Sequence, residues 1–87
     1  MELEFIFRDT AFRHGLSEAD IRHAFKTCCY LDQYKNRKNV FLLLGFNMAA
    51  NPVEILYNEY GENEINVFHA MPCRNQFLYL FQGEEIL

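Results

Sequence analysis

The sequence predicts an α+β fold: a small single domain in which an antiparallel sheet of three to four strands is packed with N-terminal helices and a short C-terminal helix. Three observations carry this expectation. The chain has 87 residues, 51% of them hydrophobic with nine Phe and five Tyr, which suits one domain that fills a small core with large rings. The second half holds three strand-like runs, 40–46, 53–60 and 64–70, with links too short for parallel crossovers. The first half holds a helix with its own start signal.

Residues 2–7 alternate Glu, Leu, Glu, Phe, Ile, Phe, which suits a short strand or extended arm. Asp9 and Thr10 offer a helix cap, and Gly15, free to take a positive φ, stops that turn. Ser17 caps the next helix, with Asp20 in the capping-box position and Leu16 and Ile21 placed as a hydrophobic staple. Over residues 18–28 the helical period puts Ile21, Ala24, Phe25 and Cys28 on one stripe, while Arg22, His23 and Lys26 fall away from it.

Apolar density then drops, leaving room for one short strand before the basic turn at 35–39. The run 40–46 is apolar on both faces and is expected at the centre of the sheet. A loop at 47–52 leads to strand 53–60, Gly61 and Asn63 mark a hairpin, and strand 64–70 is ended by Pro72. From Arg74, the positions of Phe77, Leu78, Leu80 and Phe81 predict a short helix stopped at Gly83, with 82–87 as a loose tail to the domain 1–87.

The longest apolar run is far short of the ~20 residues that span a bilayer, and the acidic start lacks the basic lead of a secretory signal. The expectation is a cytoplasmic protein with no membrane segment. Cys28, Cys29 and Cys73 form an odd set with no C-x-x-C spacing, which supports reduced thiols rather than a disulfide framework or zinc knuckle. Nucleotide-loop, zinc-protease and nucleophile-elbow motifs are missing, as is any carboxylate cluster with metal-loop spacing, so no metal and no cofactor are expected.

Net charge is −4 and unevenly spread. Residues 1–38 carry seven of the eight cations and six of the twelve acids, leaving +1, and residues 39–87 carry one cation and six acids, leaving −5. Whole-chain acidity argues against a strong nucleic-acid footprint. A local patch from Arg8, Arg13, Arg22, Lys26, Lys35, Arg37 and Lys38 competes with the plainer reading of solvated faces.

Two segments hold the candidate chemistry: Arg13-His14-Gly15-Leu16-Ser17, and His69-Ala70-Met71-Pro72-Cys73-Arg74. Each joins a cation and an imidazole where the backbone turns, and imidazole titrates near neutral pH while guanidinium stabilises anionic transition states. Strict alternation puts His69 on the face of Ile65 and Val67, either as a rim group over a cleft or bonded to backbone. His14 either caps a helix end or points into the same cleft. Arg74 opens a helix, where the dipole does not favour a cation, so an acidic partner such as Glu54 or Glu59, or a phosphate, should select it.

The pattern from Arg13 to Ile21, the strand ending Leu44-Gly45, Asn51 before Val53-Glu54-Ile55, and the segment His69 to Arg74 resembles small proteins related to the BrnT toxins. The likeness covers roughly residues 5–80. It implies a RelE-like fold, a place as the toxin component of a type II toxin–antitoxin pair, metal-independent endoribonuclease activity, an antitoxin protein as partner and RNA as substrate. On that reading His69 or His14 acts as base or acid, Arg74 and Arg13 bind phosphate, Tyr79 assists, and Arg22 and Lys26 extend the RNA-binding surface. The alternative is a non-catalytic interaction domain of the same fold, with an aromatic surface that binds another protein or a second copy of itself as a homodimer.

Overall fold

The computed structural model describes residues 3–81. The proposed tail at 82–87 and the stop at Gly83 lie outside the described residues. Five strands form one sheet: β1 (Glu4–Phe7), β2 (Tyr30–Gln33), β3 (Phe41–Phe46), β4 (Pro52–Tyr60) and β5 (Glu64–Pro72). Two helices, α1 (Glu18–Lys26) and α2 (Asn75–Leu78), a 3-10 turn at Asp9–Phe12 and a further 3-10 turn at 79–81 complete the elements of the described residues. The fold is therefore α+β, as the sequence indicates.

The spatial order is β1-β5-β4-β3-β2. Strands β2 to β5 form the antiparallel meander that the short links demand, but β1 runs parallel to β5. The sheet is thus mixed and has five strands, which corrects the expectation of three to four antiparallel ones. A four-residue strand whose partner lies some sixty positions later carries no local sign of its direction. The 3-10 turn and α1 make up the connection that brings the chain back across the sheet.

Helix α1 begins where its chemistry dictates. The Ser17 hydroxyl accepts from the Asp20 backbone N–H at 3.1 Å, and Asp20 Oδ2 accepts from the Ser17 N–H at 3.0 Å. Asp20 also accepts the Met48 N–H on its other oxygen, and this bond, followed by that from Ser17, holds its carboxyl below the ordinary value. Leu16 and Ile21 are both buried, as a staple requires. The helix ends at Thr27, and Cys28 is exposed rather than on the buried stripe. The expected cap at Asp9 or Thr10 is also absent: Asp9 lies in the first turn, and the Thr10 hydroxyl donates to the Phe68 carbonyl at 2.5 Å.

Ile21 and Ala24 of α1 pack on Leu43, Val53, Ile55, Tyr57, Ile65, Val67 and Ala70, alternate residues from one face of the sheet. Gly45 lets the helix approach so closely that a Cβ there would collide with the Ala24 carbonyl oxygen. The Phe46 N–H donates to the Thr27 hydroxyl at 2.9 Å and fastens the helix end to β3. On the opposite face lie Leu42, Leu44 and Glu54, all buried. There the C-terminal segment lies against the sheet, with the Phe77 ring 6.3 Å from Tyr34 and the Phe81 ring 5.3 Å from Phe46.

Candidate active site

Glu54 has flanking Val53 and Ile55 in the core, so alternation turns its side chain to the second face, where it is fully buried. A carboxylate there requires partners. Arg74 supplies most of them: its backbone N–H donates to Oε1 at 2.9 Å, its Nε reaches both oxygens at 3.0 and 3.1 Å, and Nη2 donates to Oε2 at 2.6 Å. His69 Nε2 completes the set at 3.1 Å from Oε2. Burial pushes the carboxyl up, but the bonds from His69 and Arg74 and the guanidinium charge outweigh it, leaving Glu54 at about 2. Glu54 in turn raises Arg74 above its usual range, chiefly through the side-chain hydrogen bond.

His69 reaches this face because β5 slips. Leu56 pairs with His69 and the next residue, Tyr57, pairs with Val67, so Phe68 is an extra residue between them. Such a bulge breaks the period of two. His69 therefore faces Glu54 and not the Ile65–Val67 side that strict alternation assigns. The Thr10–Phe68 hydrogen bond holds the bulge from the side of the 3-10 turn.

The loop after that turn carries His14 to the same place. Gly15 supports the reversal with φ +89°, and the His14 and His69 rings meet edge to face with centroids 5.8 Å apart. Side-chain exposure is 22% for His69 and 41% for Arg74, while the carboxylate behind them has none. The turn before α1 and the end of β5, remote in sequence, thus converge on one open surface.

A carboxylate only accepts, so in this contact Nε2 of His69 carries the hydrogen, and in the neutral ring the other nitrogen, Nδ1, is the acceptor. The arrangement fixes the orientation of one imidazole next to a second. Cys73 adjoins it, but burial, then the Glu54 charge, pushes its thiol up to about 11, which removes it as a nucleophile near neutral pH.

Of the other sequence candidates, Arg13 is exposed and adjoins His14 in the chain, while Tyr79, Arg22 and Lys26 have their contacts elsewhere. Tyr79 is exposed just past α2 and lies near Tyr30, whose phenol is raised by burial, Asp32 and Tyr79 in that order. Arg22 and Lys26 line a groove of ≈ 390 Å³ with Leu3, Phe5 and Phe25, which shares no residue with the histidine site. Arg22 is paired with Glu18 at 2.8 Å and lies over the Phe5 ring at 4.9 Å. Among the described residues no three ligating side chains cluster as a metal site, and no helix is long and apolar enough to cross a membrane.

The sequence offers Glu54 only as one of two acidic partners for Arg74; its position as the hub follows from the fold. The available signal is a lone carboxylate in the apolar run Val53-Glu54-Ile55-Leu56. Set beside known families and curated proteins, the sequence matches no family model and no curated protein.

Proposed function

We propose that this protein is the toxin-like component of a type II toxin–antitoxin module and cleaves RNA without a metal, with His14 and His69 as the acid–base pair on a RelE-like scaffold. The single observation that supports this reading is the pair of adjoining imidazoles, one of them oriented by a buried carboxylate. His69 Nδ1 takes the proton of a ribose 2′-hydroxyl as that oxygen bonds to the adjacent phosphorus. The bond from phosphorus to the 5′-oxygen breaks, and protonated His14 gives its proton to that oxygen. The products are a 2′,3′-cyclic phosphate and a 5′-hydroxyl. The exposed flank of Arg74 and the neighbouring Arg13 face the phosphate charge, and an antitoxin would cover this surface.

One observation favours the alternative of a non-catalytic interaction domain: the Arg74 donors are largely committed to Glu54, which leaves less positive charge for RNA. Induced expression of the wild type and of His69→Ala, following growth and RNA integrity together, separates the two. The nuclease reading expects growth arrest and RNA with cyclic-phosphate ends for the wild type alone. Harmless expression of both proteins with intact RNA overturns it in favour of the interaction domain.

A further inference from the structure

Strand β1 forms one margin of the sheet, and among the described residues no strand lies outside it. Its inward bonds use alternate residues, the Glu4 N–H reaching the Asn63 carbonyl at 2.8 Å and the Arg8 N–H the Val67 carbonyl at 2.9 Å. Alternation therefore turns the N–H and C=O of Phe5 and Phe7 outward. An edge of this kind is a template for another strand, and natural edges are normally blunted by charge. The charges on this edge are arranged differently: Glu4 stands at one end and Arg8 just past the other, both exposed and neither ion-paired among the described residues.

We propose that the margin is closed by β1 of a second copy of this chain, antiparallel about a two-fold axis through Ile6. The outward amides can also pair in a register centred on Phe5, which leaves Glu4 against Ile6, or on Phe7, which leaves Arg8 against Ile6. The register centred on Ile6 sets Phe5 opposite Phe7 and brings Glu4 of each chain opposite Arg8 of its partner, in the closely spaced pairs that hold no backbone bonds. Charge complementarity selects it. The same register covers apolar surface, since Leu3 and Phe12 are 46% and 39% exposed along this margin and Leu3 falls diagonal to Phe7 of the other copy. The contact is self-complementary, as a two-fold interface must be, and it is independent of catalysis by the histidines.

Charge reversal tests the pairing. In sedimentation velocity over a concentration series, the wild type self-associates to a dimer. Arg8→Glu weakens that dimer roughly tenfold or more, because it turns two cross-strand attractions into repulsions. Glu4→Arg does the same from the other side, and the double variant Glu4→Arg/Arg8→Glu restores wild-type association. Far-UV circular dichroism verifies that each variant is folded, and restoration in the double variant separates pairing from damage to the fold. A wild type that stays monomeric at every concentration, a dimer indifferent to both single reversals, or a double variant no better than the singles overturns the proposal.

Discussion

The two faces of the sheet are built from the same strands and do opposite things. One is dry: Val53, Ile55, Tyr57, Val67 and Ala70 meet α1 with no charged group among them. The other carries a buried carboxylate, a guanidinium and two imidazoles that open to solvent. In β4 they differ by one step along the chain, Val53 and Ile55 against Glu54. Dispersion and hydrophobic burial hold the first face, where shape is the constraint. The second also buries Leu42 and Leu44, but around Glu54 it is held by hydrogen bonds to a charge, where partner loss is the constraint.

Breaking each face in its own way sharpens that contrast. The largest effect is expected from Gly45→Val, which drives a side chain into the Ala24 carbonyl and separates α1 from β3. The cost is about 3 kcal/mol or more, read from the urea midpoint. Arg74→Ala on the second face leaves a buried carboxylate with His69 as its remaining side-chain partner and should cost roughly 2–3 kcal/mol. It should also raise the pH at which acid unfolds the protein, because the guanidinium no longer counters the burial of Glu54.

The pH dependence of the wild type follows from the same carboxylate. Its folded value of about 2 lies below the ordinary 4.5, so its contribution is fully present above pH 4.5 and is lost as pH falls toward 2. Thermal melts across that window should show a steep decline that Glu54→Gln flattens; an equally steep decline in the variant would assign acid lability to other groups. Ser17→Ala removes the capping-box hydroxyl that positions α1 and is expected to cost about 1 kcal/mol in the same melts. The smallest effect on stability belongs to His14→Ala, within about 0.5 kcal/mol because the residue is exposed. Under the proposed nuclease function the same variant is expected to lose RNA cleavage, and a fully active His14→Ala would remove His14 from the proposed acid–base pair.

What the sequence discloses depends on how far its causes reach along the chain. Ser17, Asp20, Leu16 and Ile21 act within five residues, so the start of α1 is readable from those side chains alone. The meander from β2 to β5 is likewise implied by short links. The parallel pairing of β1 with β5 depends on partners about sixty residues apart, and no local pattern signals it. The partnership of Arg74 with Glu54 is foreseeable from an unfavoured cation at a helix start, whereas the meeting of His14 with His69 needs the 3-10 turn to hold the edge of β5. Tyr79, Arg22 and Lys26 have suitable chemistry in sequence but lie elsewhere in space: Arg22 and Lys26 are carried by α1, where Arg22 pairs with Glu18, and Tyr79 sits at the end of α2.

The extra residue at Phe68 decouples the length of β5 from its orientation. In an uninterrupted strand, losing one residue inverts everything beyond it. Here shortening the chain at this position would keep Val67 inward and His69 toward Glu54, since they already oppose neighbouring residues of β4. The half-buried Phe68 ring and the carbonyl that Thr10 grips would be forfeited. The dry half of the strand and the end that carries His69 are thus set independently, with the slip between them acting as an expansion joint.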